Sequence, residues 1–93
     1  MIVSFADKAT AAIIKGEYAR RIPVDIQAKA QKKLEAIHAA IDITDLRIPP
    51  GNHLEKLKGD REGQYSIRIN QQWRICFIWF NGNAKNVEIV DYH

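Results

Sequence analysis

Arg68 and Arg74 are the residues of this 93-residue chain best arranged to act on an anion. Tyr65, Ile67 and Ile69 alternate with Gln64, Ser66 and Arg68, the period-2 pattern of a half-buried strand. After Asn70-Gln71-Gln72 the alternation resumes, with Trp73, Ile75, Phe77 and Trp79 on one face and Arg74, Cys76 and Ile78 on the other. A three-residue loop over 70–72 pairs Ile69 with Trp73 and sets Arg68 opposite Arg74. That register also gathers the bulky apolar side chains on one face. Like charges directly opposite each other across a ladder repel, at a cost of roughly a few tenths of a kcal/mol or more. A protein tolerates that repulsion most readily where an anion sits between the two charges. The pair therefore predicts a phosphate ligand.

The rest of the chain must hold this hairpin in place. Ninety-three residues give one domain over 1–93 with little surplus stability. A content of 46% hydrophobic and 27% charged residues is that of an ordinary soluble domain. The net charge of +3, with a pI near 9.2, suits a nucleic-acid or acidic-protein partner. It is too small for a protein that coats polyanions by bulk charge. The single cysteine, Cys76, excludes an internal disulfide and fits a reducing compartment, where it is expected to pack as a small hydrophobe. Neither a targeting segment nor a membrane span is legible, so a cytoplasmic protein without a membrane partner is expected.

Met1 to Phe5 reads as a short opening strand, and Ala6 to Lys15 as a short helix with Asp7 at its start and Gly16 at its end. Asp25 to Ile41 is the strongest helical pattern, with Ile26, Ala30, Leu34, Ile37 and Ile41 forming one apolar stripe. Asp42 to Leu46 extends it by a turn, and Pro49-Pro50-Gly51-Asn52 predicts an exposed loop. Leu54 to Leu57 reads as a strand, Lys58 to Gly63 as a turn, Asn81-Gly82-Asn83 as another, and Asn86 to Tyr92 as the last strand. Strand, two helices, then three or four antiparallel strands predict an α+β domain. Two N-terminal helices pack on one face of a twisted, mainly antiparallel sheet of about four to five strands. No phosphate-binding glycine loop, metal-ligand spacing or nucleophile elbow is present. Nothing in the spacing fixes a metal site from His53, Asp91 and His93, and no metal or cofactor is expected.

The run Leu57-Lys58-Gly59-Asp60-Arg61-Glu62-Gly63, the strand Tyr65 to Asn70, the segment Trp73-Arg74-Ile75-Cys76-Phe77 and the ending Glu88 to His93 resemble the HigB toxins. These are host-inhibition proteins of type II toxin–antitoxin systems, within the RelE/ParE superfamily. The opening Met1 to Phe5 and the loop Arg47 to Asn52 match as well, so the resemblance spans the chain in order. It implies a microbial-RNase-like fold and ribosome-dependent cleavage of messenger RNA in the A site. It also implies a HigA-type helix-turn-helix antitoxin that touches the helical side, with operator DNA engaged only through the antitoxin complex. The catalytic residues it implies are Lys58, Arg74, Asp91, Tyr92 and His93; Arg68, Arg61, Lys56 and His53 are read separately as RNA-binding residues. One position departs: some HigB toxins have a histidine three residues before the lysine, where this chain has Glu55 and the nearest histidine is His53.

Metal-free cleavage of RNA needs a base for the 2′-hydroxyl, cations for the charged pentacoordinate phosphorus, and an acid for the leaving oxygen. Arg74 and Lys58 suit the cationic role, with Arg68 and Arg61 in reserve, although Arg61 is expected to be occupied by ion pairing. His93 titrates near neutrality and suits either proton-transfer role. Tyr92 suits stacking or proton donation, and Asp91 suits orienting His93 or acting as a base. Regular strand alternation puts Asp91 and His93 on one face and Tyr92 on the other. Two other classes fit the superfamily: a ParE-like inhibitor of DNA gyrase, and an inert toxin-shaped binding protein.

Overall fold

The computed structural model describes residues 1–92. Helix α1 spans Lys8–Ile14 and helix α2 Val24–Ala39; the strands are β1 Glu55–Lys56, β2 Gln64–Arg68, β3 Trp73–Phe80 and β4 Asn83–Asp91. The sheet order is β1-β2-β3-β4, with each neighbouring pair antiparallel. The opening segment does not form a full strand. It lies parallel to the outer edge of β4 through bridges Ile2–Ala84 and Phe5–Val87.

Each helix begins and ends for a local reason. The Asp7 side chain caps α1 by accepting from the Thr10 N–H at 2.9 Å, and it also accepts from Arg21 at 2.6 Å. At the other end Gly16, at φ 78°, lets the Gly16 and Glu17 N–H groups donate to the carbonyls of Ile13 and Ala12. Burial pushes the Asp7 carboxyl up, but the Thr10 hydrogen bonds and the Arg21 charge outweigh it and hold the pKa below its usual value. A carboxylate depressed in the folded state stabilises the fold above its unfolded pKa, and that contribution is lost as pH falls through the folded one. Asp7→Ala is expected to cost about 1 kcal/mol at neutral pH. The difference in melting temperature from the parent should shrink in acid.

In α2 the stripe Ile26, Ala30, Leu34 and Ile37 is buried as the periodicity predicts. Ile41 is not part of it: the residue is 84% exposed and lies beyond the helix. The chain turns extended at Ala40, where Asp42 and Asp45 form a capping box. The Asp45 carboxylate accepts from the N–H groups of Ile41 and Asp42, and the Asp42 side chain accepts from the Thr44 N–H. Two backbone donors satisfied in this way end the helix early and start the short 3₁₀ turn Ile43–Arg47. The stripe packs against Ile67, Ile69, Trp73, Ile75, Phe77, Val87 and Ile89 to make the main core.

The hairpin register is the predicted one. Arg68 pairs with Arg74, Ile67 with Ile75 and Tyr65 with Phe77, and the Ile69 N–H closes on the Trp73 carbonyl at 2.8 Å. The last strand starts at Asn83, earlier than the sequence pattern shows, because it contains a bulge. Between the pairs Cys76–Glu88 and Ile78–Lys85, β4 carries one more residue than β3, and Asn86 takes φ 51°. The extra residue lets Ala84 and Val87, an odd number of positions apart, both enter the core. No helix among the described residues is long and apolar enough to cross a membrane.

Candidate active site

The sheet face away from the helices carries Arg68, Arg74, Ser66, Cys76 and Val90, set by alternation and pairing. Leu57, Cys76 and Val90 form a small second core there. Burial pushes the Cys76 thiol up from its ordinary range, which suits packing and not nucleophilic attack.

Arg74 is the centre of this face. It is buried, 5% exposed. Glu55 of β1 and the Tyr92 ring lie against the side chain. Its Nε–H donates to Ser66 Oγ at 2.8 Å, and Nη2 donates to the carbonyls of His53 at 2.7 Å and Ser66 at 3.4 Å. A guanidinium has five N–H donors. Three are committed to the protein, and the remaining two sit on Nη1, which lies 3.9 Å from Glu55 Oε1. The Tyr92 ring centroid lies 5.7 Å from Arg74 Cζ, within cation–π range.

Glu55 is a residue that sequence reasoning left without a role. Its pairing with Ser66 puts its side chain on the arginine face, and at 53% exposed it is open to solvent. The available signal was its position in the strand beside the hairpin. Ser66 was missed too, since a small polar residue in a strand carries no mark of its partner.

The other expected residues are distributed unevenly. Arg68 is half-buried opposite Arg74, and its side chain makes no hydrogen bond or ion pair among the described residues. Lys58 is exposed where the turn Gly59–Arg61 begins, directly after buried Leu57. Arg61 is ion-paired as expected, but with Glu88 on β4 at 3.3 Å, not with its chain neighbours. Lys56 pairs with Tyr65, which turns it to the opposite face from Arg74; its Nζ lies 6.0 Å from the Tyr65 ring centroid. His53 touches Arg74 through its backbone carbonyl, while its side chain lies in an exposed residue. Alternation holds to the end of the described chain. Asp91 pairs with Trp73 and accepts from Gln72 Nε2 at 3.1 Å, whereas Tyr92 reaches back over Arg74. His93 lies outside the described residues. Among those described, no three His, Cys, Asp or Glu side chains are grouped so as to hold a metal ion.

Comparison with known proteins bears directly on this arrangement. The profile of the family described as RelE-like toxin of type II toxin-antitoxin system HigB matches residues 3–93. The chain is 41% identical over 87 residues to Toxin HigB-1 of Vibrio cholerae, covering 92% of each chain. It is 34% identical over 93 residues to Endoribonuclease HigB of Proteus vulgaris, covering both chains fully. In fold it is similar to the YoeB-YefM complex from Staphylococcus aureus, with a TM-score of 0.62 at 20% identity over 100% of this chain and 98% of that one. The order of elements, the paired arginines and the match across nearly the whole chain agree: this chain belongs to the HigB family of RelE-like toxins of type II toxin–antitoxin systems.

Proposed function

We propose that the protein is a ribosome-dependent endoribonuclease that cuts messenger RNA in the A site, in the cytoplasm, and is silenced by a HigA-type antitoxin. The observation that supports this reading best is the way Arg74 is held. A buried guanidinium fixed by three protein acceptors, with Nη1 left over, is a preorganised donor for the charge that develops on a phosphate. Arg68 opposite it supplies the second cation. The relative named Endoribonuclease HigB is in accord.

In this reading Nη1 of Arg74 and the Arg68 guanidinium bind the scissile phosphate. Glu55, beside Nη1, takes the 2′-hydroxyl proton as general base in place of a histidine. Tyr92 stacks on a neighbouring base or hands a proton to the leaving 5′-oxygen. Lys58 adds charge at the rim, and Asp91 and His93 act from the chain end. Net charge +3 attracts free RNA only weakly at physiological salt, so the ribosome supplies the positioning. The antitoxin takes the helical side, and operator DNA is met only by the complex.

Induced expression with mapping of messenger 5′ ends tests the proposal, with DNA supercoiling followed in the same cells. Cuts within translated codons are expected, relieved by the antitoxin. Unchanged messengers together with lost gyrase activity would assign the chain to the ParE-like class instead.

A further inference from the structure

The loop that reaches Arg74 is built around a buried amide that the cleavage reading does not use. Asn52 is 0% exposed. Its Nδ2 donates to the carbonyls of Leu46 at 3.1 Å and Ile48 at 3.3 Å, and its Oδ1 accepts from Lys33 Nζ on α2. Its own N–H donates to the Pro49 carbonyl at 2.9 Å, closing the turn Pro50–Asn52. The chain then enters His53 in the left-handed region, at φ 45° and ψ 55°, a conformation that a side-chain-bearing residue keeps only when its surroundings fix it. The next group in space is the His53 carbonyl, which accepts from Arg74 Nη2 at 2.7 Å. An exposed Pro-Gly loop was expected here. Its inner residue is instead the most enclosed polar group of the loop.

We propose that Asn52 is a positioning residue for Arg74: its clamped amide, anchored by Lys33, fixes the His53 carbonyl on Nη2 and so keeps Nη1 turned to the phosphate and Glu55. Asn52 touches no reacting group. It acts through two links, its own side chain to the loop carbonyls and the adjacent peptide to the guanidinium. Nη2 has two hydrogens, both held by carbonyls in the folded protein. Releasing one lets the rigid planar guanidinium pivot as a unit about its side-chain torsions and spreads Nη1 over orientations that miss the phosphate. The inference rests on the nuclease reading for its effect on rate, but the effect on Arg74 itself is independent of any activity.

The test therefore has two readouts. Asn52→Asp keeps the shape and the Lys33 contact but removes both amide donors and sets a carboxylate against two carbonyls. In the free protein, nitrogen-resolved NMR of the Arg74 guanidinium should show its Nη protons exchanging at least about 10-fold faster than in the parent. On ribosome-bound messenger, kcat should fall by about 10-fold to 10²-fold, the scale of a misplaced group, with KM changed less than about two-fold. Asp7→Ala, a destabilised variant whose cap lies on α1, should leave the Arg74 signals as in the parent. Should Asn52→Asp not fold, Lys33→Met removes only the anchor on Oδ1, and the Arg74 signals should move in the same direction. Folded variants with unchanged Arg74 signals overturn the proposal. Loosened Arg74 signals in a chain that cuts no messenger uphold the positioning and sink the nuclease reading alone.

Discussion

Arg74→Lys is expected to reduce messenger cleavage by about 10²–10³-fold, the scale of losing one preorganised donor to a developing anion, and to abolish growth inhibition. A lysine keeps the charge but not the fork. The guanidinium serves Ser66 Oγ, the Ser66 carbonyl and the His53 carbonyl while still offering Nη1 outward, on four separate directions. An ammonium with three donors on a flexible stem can satisfy the acceptors or reach the phosphate, but cannot do both in fixed geometry. Arg74→Ala has a second effect because the residue is buried. It strands the Ser66 hydroxyl and the His53 carbonyl, at about 1–3 kcal/mol for each unsatisfied buried group that water does not reach. The lysine variant therefore reports on chemistry, and the alanine variant on chemistry and stability together. Single-turnover cleavage beside a melting curve separates them. A lysine variant that cuts at the parent's rate would remove Arg74 from the site.

Glu55→Gln is expected to lower single-turnover cleavage by about 10²–10⁴-fold, the usual contribution of a positioned general base. The carboxylate lies 3.9 Å from Nη1, the Arg74 nitrogen that donates no hydrogen bond among the described residues, next to where a phosphate oxygen would meet it. The amide has nearly the same shape but cannot accept a proton at any useful pH. Its effect on the fold should be small, because a half-exposed ion pair contributes only about 0–1 kcal/mol. A large fall in rate with an unchanged melting temperature is therefore the signature. An unchanged rate would remove Glu55 from the proton transfer.

How much of this was legible in the sequence depended on whether the physics was local. The hairpin register followed from period-2 alternation, since one slip would have turned Ile67, Ile75 and Phe77 to solvent. The end of α1 was visible in Gly16 for the same reason: a left-handed backbone at a helix terminus favours one residue. Ile41 misled because it continued the helical spacing, whereas the Asp42–Asp45 capping box had already ended the helix. The β4 bulge was hidden because one extra residue leaves no compositional mark until the partner strand is known. The site showed the same division. Arg68 facing Arg74 was a matter of register and could be read. The burial of Arg74, its grip on Ser66, and the approach of Glu55 all depend on where β1 lies across from β2, and a two-residue strand carries too little pattern to place itself. Lys56 shows the converse, since its charge suggested the binding face while its pairing with Tyr65 turned it away.

The central claim, that this arginine site cuts messenger only when the ribosome presents it, is tested most directly with purified protein and one messenger in two states. The messenger is supplied naked, or on translating ribosomes with a vacant A site, and 5′ ends are mapped in both. Cutting confined to the ribosome-bound messenger, at A-site codons, is the expected result. Efficient cutting of the naked messenger would contradict ribosome dependence, and no cutting in either state would contradict the nuclease reading.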